Sequence, residues 1–242
     1  MTKVLVWNEG LHEKKDPKVQ EVYPEGIHGA IAGFLKQQAD FTVKTATLDM
    51  PEHGLTEEAL AETDVLIWWG HCHHHNVQDE IVDRVHKRVN DGMGLLVLHS
   101  AHASKIFAKL MGTNTWELRW REASELERVW TVDHSHPITK GIPEHFDIPN
   151  SEMYGERFAI PTPDELIFIS WYEGGEVFRS GCTFKHGLGK IFFFAPGHES
   201  FPIYNMPEVQ QIIINGVNWA APQYRTDIKT GHSPEFVHKP SQ

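Results

Sequence analysis

The sequence predicts an α/β protein with a mostly parallel central sheet, covered by helices on both faces and extended by added antiparallel strands. Three observations carry this. Short apolar, β-branched runs recur at residues 3–7, 64–69 and 94–98. Segments with apolar residues at three and four spacing separate them, as buried parallel strands joined by crossover helices require. In the second half, strand-like runs succeed one another across Gly-rich turns, which suits antiparallel pairing.

Taken in order, residues 3–7 (KVLVW) form a buried strand ending at Asn8, Glu9 and Gly10. A polar stretch runs to Pro24. Ile27, Ala30, Ile31, Phe34 and Leu35 then mark a helix. Residues 41–45 alternate and form a second strand. Thr56 is placed to cap a short helix ahead of Glu57 and Glu58. Residues 64–69 form the third strand, Ile81, Val82, Val85 and Val89 the next helix, and residues 94–98 the fourth strand, succeeded by a helix over 103–110. Beyond it, residues 129–132, 166–169, 177–184 and 190–194 read as strands, with Gly174 and Gly175, and residues 186–189, as turns. Pro137, Pro143 and Pro149 suggest a rigid loop laid over the body. Residues 207–220 close the unit as a helix with Ile212, Ile213, Val217 and Ala220 on its apolar face. Residues 1–221 are expected to be one domain, and residues 222–242 an extended, polar, Pro-containing tail.

The chain has 242 residues, 40% hydrophobic and 23% charged, within the range of soluble globular proteins. A net charge of −11 argues against nucleic acid or an anionic membrane as partner. Two cysteines, Cys72 and Cys182, do not make a disulfide framework. The N-terminus reads at once as a strand rather than a leader, and no apolar run is long enough for a membrane span. A cytoplasmic protein is expected. Its aromatic content of 11% is compatible with a homo-oligomer.

Histidine is in surplus: 17 residues, with no terminal tag to account for them. In open α/β sheets, ligands bind at the carboxyl ends of the strands. Asn8 and Glu9 come after the first strand, His71 and His73 after the third, His99, Ser100 and His102 after the fourth, and His198 and Glu199 after the run at 190–194. Histidine or carboxylate therefore converges on one edge from four strands. His71 and His73, two apart, would share a side of an extended segment. With His99 they make a candidate ligand set for a divalent metal such as zinc. The alternative is a solvated histidine-rich loop, and His74 and His75 are expected at the surface. Ser100 stands where a nucleophile elbow would place a reactive residue, but G-x-S-x-G is absent. Helix capping and ligand binding are its other roles. Glu152 and Tyr154 lie in the loop-rich stretch, Glu152 as a candidate general base or metal ligand. His28 stands at a helix N-terminus.

Together, "YPEGIH", "GLLVLHSAHAS", "HPITKGIPEHFDI", "SEMYGE" and "GKIFFFAPGHES", in this order over about residues 3–220, resemble the ThuA family of trehalose-utilisation-like proteins. The resemblance implies a class I glutamine amidotransferase-like fold, a flavodoxin-like three-layer sandwich. Amidotransferases of that fold carry a cysteine at the elbow and a spaced His-x-Glu pair. Here the elbow is His99-Ser100-Ala101-His102, and His198 and Glu199 are adjacent, so the cysteine chemistry does not carry over.

The resemblance also implies a carbohydrate-related role, on trehalose or a related sugar or keto-sugar. An enzyme, as a metal-assisted hydrolase or lyase, would use His99, His198, Glu152 and Glu199 for catalysis. Asn8, Glu9, His28, Ser100, His102 and Tyr154 would bind the ligand. No nucleotide cofactor is expected. The alternative is a sugar-binding or regulatory domain without turnover.

Overall fold

The N-terminal apolar run is strand β1 (Thr2–Asn8), second from one edge of a nine-stranded sheet. The computed structural model describes residues 1–223 and 231–233. Short helices α1 (His12–Lys15) and α2 (Pro17–Val22) occupy the stretch expected to be merely polar, and lead to α3 (Gly26–Leu35) and β2 (Phe41–Thr47). Helix α4 (Glu57–Ala61) is capped by the Thr56 hydroxyl, which accepts from the Ala59 N–H at 3.2 Å. Next come β3 (Val65–Trp69), α5 (Asp79–Asn90) and β4 (Gly94–Leu98). A turn of 3-10 helix (His99–Ala103) enters α6 (Lys105–Met111). Strands β5 (Arg119–Thr131), β6 (His145–Gly155), β7 (Glu165–Tyr172), β8 (Val177–His186) and β9 (Gly189–Phe194) come next, and α7 (Pro207–Ala220) closes the order. The expected tail, 222–242, lies for the most part outside the described residues.

Successive strand residues alternate between two cores, as the period of two demands. Leu5, Trp7, Leu66, Trp68, Leu95 and Val97 pack with Ile81 and Val85 of α5 and Phe107 of α6. Val4, Val6, Ile67, Trp69, Leu96 and Leu98 pack with Ile31 of α3 and Ile212 and Ile213 of α7. Helices thus cover both faces. Each fully buried aliphatic side chain contributes about 1.5–3 kcal/mol of burial. Among the described residues, no helix is long and apolar enough to cross a membrane.

The strand order is β2-β1-β3-β4-β9-β8-β7-β5-β6. The pairings from β2 to β9 are parallel and those from β9 to β6 antiparallel. The sheet is therefore not mostly parallel, as expected, but divided evenly. The cause is connection length: the parallel half is joined through helices, whereas β7, β8 and β9 are joined by tight turns that permit only antiparallel neighbours. A second correction concerns the stretch expected as a proline-rich loop, which becomes β6 from His145 onward. Pro149 is tolerated because β6 is the sheet's edge, where a missing N–H costs no ladder bond.

This antiparallel half carries a buried polar knot that fixes β6. The Glu127 carboxylate accepts from Ser151 Oγ at 2.6 Å, Ser170 Oγ at 2.5 Å and Tyr172 OH at 3.2 Å, joining β5, β6 and β7. Burial pushes its carboxyl up, against the lowering effect of the three hydroxyls. Glu152, next to Ser151, is held where it meets the parallel half.

Candidate active site

His99 comes directly after β4, and its φ of +52° is left-handed. For a residue with a Cβ this costs about 1–3 kcal/mol and marks a site of imposed geometry. The Ala195 carbonyl accepts from His99 Nδ1 at 2.9 Å, so Nδ1 carries the hydrogen and Nε2 faces the site. Trp69 and Tyr154 flank the ring, with centroids 6.5 and 5.3 Å away and interplanar angles of 17° and 12°. Tyr154 OH lies 3.4 Å from Nε2. Glu152 Oε2 is 3.3 Å from Nε2, in ion-pair contact but outside hydrogen-bond alignment. Burial alone would lower the His99 pKa; the Glu152 charge outweighs it and holds the imidazole above its usual value. Burial likewise opposes ionisation of Glu152, and His99 outweighs it, keeping the carboxyl low.

The second group comes from the turn after β9. Gly197 has a φ of +151°, and a Cβ there would collide with Tyr204 Oη and stand 3.2 Å from His99 Cβ. Glycine thus permits the approach that sets His198 against His99, with ring centroids 5.5 Å apart. His198 Nδ1 accepts the Ser200 N–H at 3.1 Å, so Nε2 bears the hydrogen of the neutral ring. Nε2 lies 3.8 Å from Glu122 Oε1 and 3.9 Å from Glu199 Oε2. Burial, and then the neighbouring His99, push His198 down to about 4. Burial pushes Glu199 up.

The third group comes after β3. Glu9, buried after β1, accepts the N–H groups of His71 at 2.9 Å, Cys72 at 3.3 Å and His73 at 2.9 Å. Glu9, expected to bind ligand, clamps the histidine segment into shape. His71 Nδ1 points to Glu199 Oε1 at 3.2 Å and to His12 Nδ1 at 2.8 Å. Burial, then repulsion from the surrounding imidazoles, pushes His71 down to about 3.

His71, His99, His198, Glu152, Glu199 and Tyr154 are therefore brought together, and His73 is not. The His73 ring sits 5.9 Å from that of His75 and near Asn76. His74 is half-buried rather than a surface residue, with Nε2 enclosed. Ser100 Oγ donates to the Gly70 carbonyl at 2.8 Å, fastening the β3 and β4 ends together. His102 is buried among Tyr154, Phe158 and Phe193, and burial pushes it down to about 3. Asn8 bonds Glu13 and lies 3.0 Å from His28 Nδ1, a neighbouring polar group at the same edge. His12 and Glu122 escaped the sequence reading. His12 lies four residues past Asn8, on the same strand exit, and that proximity was the available signal.

Among the described residues, donor atoms gather within 4.8 Å in three groups: His71 with His198 and Glu199, His99 with Glu152 and His198, and His12 with His71 and Cys72. The third group differs in holding a thiol, Cys72, which burial and nearby carboxylates push up to about 11. The first two share His198. Their carboxylate oxygens Glu152 Oε2 and Glu199 Oε2 are buried without a hydrogen-bond partner. Mixed imidazole and carboxylate donors of this kind fit zinc.

A family model described as ThuA, trehalose utilisation, matches residues 3–220. Among solved structures, a ThuA-like protein from Parabacteroides merdae is 16% identical, with a TM-score of 0.66 over 93% of this chain and 92% of that one. A second, from Bacteroides uniformis, is 17% identical, with a TM-score of 0.62 over 90% of each chain. A cytoplasmic protein from Salmonella typhimurium is 15% identical, with a TM-score of 0.58 over 91% of this chain and 100% of that one. At these identities the likeness is one of fold. No curated protein matches the sequence.

Proposed function

The chain belongs to the ThuA family, and from that premise we propose that it is an enzyme acting on a sugar or keto-sugar by hydrolysis or another C–O bond cleavage, assisted by a divalent metal. One observation carries the reading: two buried carboxylate oxygens, of Glu152 and Glu199, lack hydrogen-bond partners beside three imidazoles at strand ends. A buried carboxylate left unmatched is costly, and a cation relieves both at once. The ligands come from His71, His99, His198, Glu152 and Glu199; His73, expected among them, faces elsewhere. When bound, the metal supplies Lewis acidity toward a substrate oxygen or a water.

The chain's own residues orient and move protons. Ala195 fixes the His99 ring so that Nε2 faces the ligand. Glu152, beside it, accepts a proton from a hydroxyl or water and returns it. To serve as a ligand through Nε2, His198 would carry its ring hydrogen on Nδ1 and give up the Ser200 bond, a loss of about 1 kcal/mol.

A second reading, sugar binding without turnover, is favoured by Ser100, whose hydroxyl is committed to the Gly70 carbonyl at an elbow that carries no thiol. Incubation with trehalose, other disaccharides and their keto derivatives separates the two. The enzyme reading expects consumption by the wild type that is lost in His99→Ala. Thermal stabilisation by a sugar that is never consumed contradicts it.

We further read the order β2-β1-β3-β4-β9 as a flavodoxin-like core, and residues 1–221 as one domain bearing a C-terminal tail. A cytoplasmic location is supported by two unpaired cysteines and by the Salmonella protein's description. The net charge of −11 favours a small-molecule partner over nucleic acid. A homo-oligomer accords with the exposed aromatic residues.

A further inference from the structure

Trp120 is, beside Trp116, one of the two most exposed aromatic side chains among the described residues. It is 65% exposed and has no ring partner among the described residues. Its position ties it to the active site. In the antiparallel ladder of β5 and β6, Trp120 lies directly opposite Tyr154. Opposed residues of such a pair share a face. That face looks into the cluster, since Tyr154 stacks on His99 at 5.3 Å. Two residues further along β5, Glu122 reaches to 3.8 Å from His198 Nε2. Alternate strand residues also share a face, and a two-residue step spans about 7 Å. Trp120 is therefore about one sugar ring beyond the group that contacts His198.

We propose that Trp120 is a stacking platform for a second sugar ring, so that the site takes a glycoside of at least two rings. The inference rests on the carbohydrate reading above and deepens it. A ring bound against His99, His198 and Glu152 directs its neighbour along β5 onto the indole. The flat apolar face of a pyranose covers the indole, while Glu122, beside it, accepts from the ring hydroxyls. An exposed tryptophan bordered by a carboxylate at the rim of a polar site suits such a ligand, apolar on its faces and polar at its edges.

The full-length protein is titrated with trehalose, maltose and glucose, by tryptophan fluorescence and by calorimetry, as wild type, Trp120→Phe and Trp120→Ala. The proposal expects at least one disaccharide to bind about tenfold more tightly than glucose. Trp120→Ala should abolish that preference and leave glucose binding unchanged, and Trp120→Phe should keep most of it. Undiminished disaccharide binding by Trp120→Ala overturns the proposal, as does a wild type with no disaccharide preference. A change of oligomeric state in Trp120→Ala with sugar affinity unaltered also overturns it, and identifies the face as a contact between copies. Metal content measured on the same samples separates the two readings: metal retained without disaccharide preference sinks the platform alone, and preference retained without metal sinks the metal site alone.

Discussion

His99 and Glu152 meet across the edge of the sheet, with Nε2 3.3 Å from Oε2, one delivered by the parallel half and the other by the antiparallel half. The site is thus a junction between the two halves of a single sheet. Glu152→Gln keeps the shape of this junction and removes the charge. The variant should fold normally and bind zinc at least about tenfold more weakly, as read by calorimetry. Unchanged zinc affinity would remove Glu152 from the ligand set.

Glu9 supports the site from beneath. Glu9→Ala leaves the N–H groups of His71, Cys72 and His73 without their acceptor. At about 1–3 kcal/mol for each buried donor that finds no water, the loss should reach about 3 kcal/mol in urea unfolding. Glu9→Gln, which keeps an accepting oxygen, should lose less. Equal stability of the two variants contradicts the clamp.

Much of this arrangement was legible in the sequence, for a definite reason. His71, His99 and His198 stand just beyond apolar runs, and a parallel sheet aligns the ends of such runs whatever their order. The side-chain assignments within the histidine segment were less legible. His71 and His73 would share a side only in an extended chain, and the Glu9 clamp bends this one. The span of β5 before residue 129 was missed because Arg119, Arg121, Glu125 and Glu127 interrupt its apolar pattern. Their partners, Glu176 for Arg121 and the Ser151, Ser170 and Tyr172 hydroxyls for Glu127, are remote in sequence. Pro149 concealed β6 because only its edge position makes the proline acceptable.

Gly197 tests the approach of His198 to His99. In Gly197→Ala the new methyl would run into Tyr204 Oη in the present geometry. A destabilisation of about 2 kcal/mol in urea is expected from overpacking, together with weakened zinc binding. A variant with wild-type stability and zinc affinity would show that the turn adapts freely.

Acid stability reports on the antiparallel half. Arg121 hydrogen-bonds Glu176 and pulls its carboxyl from 4.5 down to about 2. A depressed folded pKa means that the stabilisation is fully present above the unfolded value and is lost as pH falls through the folded one. The melting temperature of the wild type should exceed that of Glu176→Gln by a constant margin above about pH 5, and the margin should close toward pH 2. A margin that persists unchanged at pH 2 would assign the difference to packing.

The central claim is that three strand ends surround one cation. Metal content, measured on untagged protein purified without a metal column, tests it most directly when wild type is compared with His71→Ala, His99→Ala and His198→Ala. The account predicts about one equivalent of divalent metal in the wild type, lost in all three variants, as expected where each supplies a ligand. No metal in the wild type after incubation with zinc and desalting, or metal that survives all three substitutions, would contradict it.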